Sequence, residues 1–223
     1  MHITMKPLGQ PLHQSTLGAG QVHAGHLDLG KSQLTGPALN LRNELTAAHH
    51  QASIVETPQP LALRWNDEDD TARFAARLAA QPSVRNAFIA LRGDLGAGKT
   101  TLVRHLLRAL GVTGRIKSPT YAVVEPHHAP GLDTPGVDTP GLNIWHFDFY
   151  RFNDPREWED AGFRDIFASP GLKLAEWPDN AGTLVPPADI AIYIEAGDDS
   201  ARLVTLQAGT PRGSALLQGL DTP

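Results

Sequence analysis

No cysteine occurs anywhere in the chain. That excludes disulfides, iron–sulfur clusters and thiolate-held zinc, and it fits a reducing compartment. An excess of positive charge is missing too: 19 Lys and Arg stand against 24 Asp and Glu, for a formal net charge of −5. The chain therefore has no general attraction to nucleic acid, and any contact with RNA has to be local or made through a partner. No apolar run approaches the roughly 20 residues that span a bilayer. The opening "MHITMKPLGQPLHQSTLG" has neither the unbroken apolar stretch of a signal peptide nor the arginines of a transit peptide. The chain is accordingly read as cytoplasmic, with no membrane partner.

What is present divides unevenly. Residues 1–63 carry few charges, no Phe, Trp or Tyr, and six of the ten histidines. Such a segment buries little, so it is read as a disordered N-terminal extension, and its histidines have no metal-ligand spacing. The ordered domain is expected over 64–208, followed by a flexible tail at 209–223. With 223 residues, 41 % of them hydrophobic, the chain has room for one compact domain and additions.

Within that domain "NDEDDTARFAARLAAQ" predicts a helix capped by Asn66 or Asp67, with Phe74 and Leu78 on its apolar face. "AFIALRG" is of strand length, and "KTTLVRHLLRALG" predicts a helix that stops at Gly111. "TYAVVEP", "LNIWHFDFY", "LKLAEW", "DIAIYIE" and "RLVTLQA" read as further strands, and "NDPREWEDAGF" as a short helix capped by Asp154. Strands mixed with a few helices imply an α/β domain with a single main β-sheet and flanking helices. Residues 127–142 contain the repeat "PGLDTPGVDTPGL" and are expected to be a flexible Pro/Gly loop; "GLDTP" recurs at 219–223.

The segment Gly93-Asp94-Leu95-Gly96-Ala97-Gly98-Lys99-Thr100 fits G-x-x-x-x-G-K-[ST] throughout. Glycines let the backbone turn several N–H groups towards one phosphate, and the following helix adds its positive end. Lys99 is expected to reach the outer phosphates, and the Thr100 hydroxyl to ligate Mg²⁺, with Thr101 beside it. An apolar strand before the motif and an amphipathic helix after it supply the required context, so the α/β domain is read as P-loop NTPase-like. A glycine-rich turn that only joined strand to helix would not need the lysine and threonine together.

Such a site also needs a carboxylate at the end of an apolar strand. Asp148 ends one strand candidate and Glu176 another; either is able to hold the metal or orient an attacking water. "KSPTY", residues 117–121, lies where nucleotide switches carry a hydroxyl that senses the γ-phosphate, and Ser118 and Thr120 both qualify. No N-K-x-D for guanine exists in the chain, and Asp179-Asn180-Ala181-Gly182 matches D-x-x-G only formally. A small-molecule kinase closes a basic lid over the phosphates, yet residues 118–150 contain no Lys or Arg. An ATPase is favoured by elimination. A kinase of a small metabolite is the alternative, and a regulatory nucleotide-binding module with negligible turnover is a third reading.

"GDLGAGKTTLVR", "KSPTYAVVEP", "HFDFYR", "DPREWEDAGFRDIF" and "LAEWP" occur in this order over about residues 64–208. Together they resemble the TsaE family of bacterial ATPases, which take part in threonylcarbamoyladenosine synthesis on tRNA. The resemblance implies partnership with the TsaB–TsaD pair, contact with tRNA only through that complex, and ATP and Mg²⁺ as ligands. It implies slow ATP hydrolysis that resets the complex, and no transfer of the threonylcarbamoyl group by this chain itself. By the same resemblance Lys99 and the loop amides form the phosphate site, and Thr100 and Glu176 the Mg²⁺ ligands. Asp148 is the acid needed for hydrolysis, Ser118 and Thr120 the switch-like segment, Trp177 a tryptophan near the nucleotide, and Thr71 a neighbour of the adenine. The N-terminal extension and the insertion "HHAPGLDTPGVDTPG" depart from the family pattern, and neither interrupts a motif.

Overall fold

The computed structural model describes residues 59–131, 133–134, 137–138 and 140–221. The expected N-terminal extension thus lies almost wholly outside the described residues. The apolar run Phe88–Arg92 forms strand β2, with its first four residues buried. The run Leu172–Glu176 forms β7 and is buried throughout. Continuous apolar strands of this kind belong in the middle of a sheet covered on both faces. Around them lie β1 (Leu61–Trp65), β3 (Val124–Ala129), β6 (Leu142–Asp148), β8 (Ile190–Ala196) and β9 (Arg202–Ala208). The sheet order is β1-β9-β8-β2-β7-β6-β3. The four central strands β8, β2, β7 and β6 run parallel, and the remaining pairings are antiparallel. Pro126 sits in edge strand β3, where a missing backbone N–H costs no central ladder bond.

Helices α1 (Glu68–Ala79) and α2 (Lys99–Ala109) cover one face. Asp67 caps α1, its carboxylate accepting from the Asp70 N–H at 2.8 Å. At the end of α2 the Gly111 N–H donates to the Arg108 carbonyl and the Val112 N–H to the Leu107 carbonyl, a Schellman closure at the predicted stop. Helices α3 (Pro155–Asp160) and α4 (Phe163–Ala168) cover the other face, and Asp154 caps α3 as expected. Six of the chain's seven phenylalanines gather on this second face, with Trp158 among them. Phe147 stacks on Phe149 at 5.5 Å and meets Phe163 edge-on at 5.3 Å. These interlocked rings back the C-terminal end of β6 and hold it in place.

The boundaries differ from the sequence expectation in four places. The ordered chain starts before residue 64: Leu61 and Ala62 already pair with Leu206 and Thr205 of β9. "TYAVVEP" becomes a strand only from Val124, because residues 120–123 form a turn in which the Ala122 and Val123 N–H groups both bond the Pro119 carbonyl. The expected loop at 127–142 is shorter than that: residues 127–129 pair with 142–144 inside the main sheet, and β4 (Asp133–Thr134) pairs with β5 (Val137–Asp138) as a small hairpin.

The fourth difference is the expected flexible tail, which is helix α5 (Pro211–Asp221), packed on the first face through Leu216, Leu217 and Leu220. Its glycines disguised it. A Cβ at Gly213 would stand 1.7 Å from the Asp189 carbonyl oxygen, so glycine here permits close approach of helix and strand and does not signal mobility. Among the described residues no helix is long and apolar enough to cross a membrane.

Candidate functional site

The parallel strands β2, β7 and β6 all point their carboxyl ends to one edge, where open α/β sheets bind ligands. From β2 the chain turns through residues 93–98 into α2. Gly93 has φ +136°, and a Cβ there would lie 2.1 Å from the Ile194 carbonyl oxygen, so only glycine fits between loop and β8. Gly96 and Gly98 also have positive φ, which curls the loop over the N-terminus of α2. Arg202, at the start of β9, donates from Nε to the Ala97 carbonyl at 2.8 Å and ties the loop to the sheet.

Lys99 is buried at the first turn of α2. Its Nζ donates to the carbonyls of Gly93 at 2.7 Å and Asp94 at 2.8 Å, and lies 4.0 Å from the centre of the Trp177 ring. Burial lowers the Lys99 pKa from its ordinary value, and the carboxylates of Glu176, Asp148 and Asp94 act against that shift. Trp177 itself adopts a left-handed backbone, φ 56°, immediately after β7, and its ring meets that of Tyr150 at 5.1 Å.

The Thr100 hydroxyl sits 2.8 and 2.9 Å from the two oxygens of the Glu176 carboxylate and donates to it. The same carboxylate accepts from Nε2 of His146 at 2.9 Å. Asp148, the direct register partner of Glu176, accepts from Ser118 Oγ at 2.6 Å and Thr120 Oγ1 at 2.7 Å. Its second oxygen accepts from the Tyr150 N–H at 3.0 Å. Both carboxylates are buried. Charged groups held at a cleft in this way, with every hydrogen bond pointing at them, are preorganised for electrostatic work.

Two neighbouring clefts flank the loop. One, of about 540 Å³, is bounded by Lys99, Thr100, Ser118, Thr120, Asp148 and Glu176, with Trp177, Tyr150 and Arg151 at its wall. The other, of about 500 Å³, is bounded by residues 65–68, Thr71 and residues 199, 200 and 202. Gly96, Gly98 and Thr101 line both, so the two clefts adjoin at the loop. Thr71 is therefore in the second cleft and apart from the two carboxylates. The side chains of Asp94 and Leu95 are exposed, and Ala97 turns into the core; these three contribute backbone to the loop.

The Thr100 hydroxyl keeps its lone pairs after donating to Glu176, and the facing donors are oxygens, a set suited to a hard cation such as Mg²⁺. Among the described residues no three His, Asp or Glu side chains converge as a metal cage. A magnesium site completed by substrate phosphates does not require one.

Sequence reasoning gave no role to His146, Tyr150 and Arg151, although all three lie in the motif HFDFYR, and it passed over Arg202. Beyond that motif, the signal for His146 was its place two residues before Asp148 on the same face of a strand. Arg151 lies 4.9 Å from the Tyr121 ring at the cleft mouth, a contact between residues thirty positions apart that periodicity does not reveal.

The description "Threonylcarbamoyl adenosine biosynthesis protein TsaE" matches residues 65–204. A TsaE from Haemophilus influenzae is 39 % identical over 149 residues, covering 67 % of this chain and 87 % of that protein. One from Bacillus subtilis is 32 % identical over 160 residues, covering 71 % and 94 %. The crystal structure of Bacillus subtilis YdiB superposes with a TM-score of 0.57 at 26 % identity, covering 73 % of this chain and 94 % of that one.

Proposed function

The chain belongs to the TsaE family, and on that premise we propose that it binds Mg²⁺·ATP around residues 93–101 and hydrolyses it in support of threonylcarbamoyladenosine synthesis on tRNA, acting with TsaB and TsaD in the cytoplasm. The observation that carries this reading is the convergence of three strand ends on one cleft. The loop after β2 brings amides and Lys99, β7 brings Glu176 against Thr100, and β6 brings Asp148 against Ser118 and Thr120.

In this reading the phosphates lie over the curled loop, where its N–H groups and the positive end of α2 meet their charge. Lys99 exchanges the Gly93 and Asp94 carbonyls for phosphate oxygens, so a held ammonium is released to the substrate on binding. Thr100 and Glu176 would hold a magnesium ion, which would supply neutralisation of the charge developing on the phosphoryl oxygens. Asp148 orients a water against the γ-phosphorus and accepts its proton. The water oxygen bonds to phosphorus as the bond to the β,γ-bridging oxygen breaks; ADP keeps that oxygen, and inorganic phosphate and one proton leave. Ser118 and Thr120, now bonded to Asp148, sense whether the γ-phosphoryl is present. The adenine extends into the cleft beside Thr71. In this reading the chain does not itself transfer the threonylcarbamoyl group and meets tRNA through the partner complex.

The test is the fate of labelled γ-phosphate. Its release as inorganic phosphate, slow for the chain alone and altered by TsaB and TsaD, supports the proposal. Its appearance on a small hydroxyl compound would replace the ATPase with a metabolite kinase.

A further inference from the structure

His146 is wholly buried in β6, flanked on one side by β3 and on the other by β7, where it stands opposite Leu174. Its Nε2 lies 2.9 Å from Oε1 of Glu176. Its other ring nitrogen, Nδ1, is buried with no hydrogen-bond partner. An acceptor carboxylate faces Nε2, so Nε2 carries a proton and donates it. The ring aims one donor, its Nε2–H, at one carboxylate oxygen.

Glu176 needs such a constraint. A glutamate has three side-chain torsions, and its terminal carboxylate rotates in a broad, two-fold well. Thr100 donates to this carboxylate with Oγ1 nearly equidistant from both oxygens, which by itself does not select one rotation. The imidazole has two torsions, is enclosed on both strand edges, and bonds Oε1 alone.

We propose that His146 is a positioning residue for the magnesium site: its Nε2–H fixes the rotation of the Glu176 carboxylate, and through it the orientation of the Thr100 hydroxyl. This rests on the reading of the cleft as a Mg²⁺·nucleotide site. His146 does not touch the nucleotide or the metal. It acts as the outer partners of metal-holding carboxylates generally act, and loss of such partners typically weakens metal binding by about 10–100-fold.

The experiment is calorimetry of ADP binding to the full chain over a Mg²⁺ series, with thermal melting of each variant alongside. His146→Leu keeps the size and removes the donor. His146→Gln places an amide N–H near the position of Nε2. His146→Asn is polar but too short to reach Glu176. The expected result is that the Leu and Asn variants need about tenfold or more Mg²⁺ for half-maximal nucleotide binding, while the Gln variant stays within about threefold of the parent and Mg²⁺-free ADP binding is unchanged in all three. Equal Mg²⁺ requirements in the parent, Leu and Asn proteins would overturn the assignment. So would a Gln variant as impaired as Leu, or a loss that follows melting temperature and affects Mg²⁺-free binding equally, because a core histidine with no positioning role would behave that way. If the Leu variant does not fold, the Gln and Asn pair decides the matter by itself. A parent protein whose ADP binding ignores Mg²⁺ would sink the magnesium reading, and that outcome is separate from any difference among the variants.

Discussion

Asp148 and Glu176 stand opposite each other at the last register step between β6 and β7, yet they serve separate sets of donors. Glu176 accepts from Thr100 and His146; Asp148 accepts from Ser118, Thr120 and the Tyr150 N–H. Two adjacent carboxylates in equivalent strand positions are thus differentiated by what folds over them. One is bound to the helix that follows the glycine loop, the other to the segment 118–120.

The division predicts different phenotypes. Asp148→Asn should reduce phosphate release by about 10²–10⁴-fold, the usual contribution of a positioned base, and change nucleotide affinity by less than about tenfold. Glu176→Gln should instead raise the Mg²⁺ concentration needed for binding. Phosphate-release kinetics beside calorimetry separates the two, and identical profiles would contradict separate roles.

Lys99→Ala should abolish measurable Mg²⁺·ATP binding while leaving the melting temperature near that of the parent. The ammonium bonds only loop carbonyls and a ring face, and the Ala side chain leaves α2 intact. Calorimetry and a melting curve on the same sample test both halves.

Trp177 should report nucleotide entry. Its ring lies against the Lys99 ammonium, which in the proposed cycle moves to the phosphates. Tryptophan emission should change on adding ADP with Mg²⁺, and Trp177→Phe should remove most of that change although three other tryptophans remain in the sequence.

His127 predicts a pH effect on stability. Burial lowers its pKa from the ordinary 6.5, the neighbouring His146 adds to that, and Glu125 opposes it. A group with a depressed folded pKa binds its proton more readily when unfolded, so stability rises with pH across the gap between the two values. The loss therefore begins as pH falls through 6.5 and is complete below the lowered value. Melting temperatures measured down an acid series should drop more steeply for the parent than for His127→Gln. Parallel curves would contradict the burial argument.

Gly213→Ala should destabilise the fold by about 1–3 kcal/mol through overpacking, since the added carbon meets the Asp189 carbonyl at 1.7 Å. Ser214→Ala, one position on, loses only the hydroxyl's bond to the Thr210 carbonyl and serves as the control. Thermal or urea unfolding of both variants tests the contrast.

How legible each feature was depended on how local its cause is. The glycine loop, Lys99 and Thr100 were readable because eight consecutive residues carry the whole pattern, with strand and helix on either side. Asp148 and Glu176 were readable as acids that end apolar runs. Their pairing was not, because Glu176 meets Thr100 across 76 positions and Asp148 meets Ser118 across 30. His146 read as one more strand residue; only the strands on either side make it buried and aimed. Helix α5 was hidden because Gly213 and Gly219 resemble breakers until their packing against Asp189 and Gln81 is seen. Pro and Gly density at 130–142 hid the pairing of the flanking residues, since pairing follows from the partner strand as much as from propensity.

The most direct measurement is reconstitution with TsaB, TsaD, tRNA, ATP and the threonylcarbamoyl donor, scoring modified adenosine formed per TsaD over several turnovers. The account predicts repeated turnover with the parent chain and Mg²⁺·ATP, and a halt after about one round when Lys99→Ala replaces it, since a single event needs no reset. Undiminished multiple turnover with the Lys99→Ala chain would contradict the claim that this site's nucleotide cycle drives the partner enzyme.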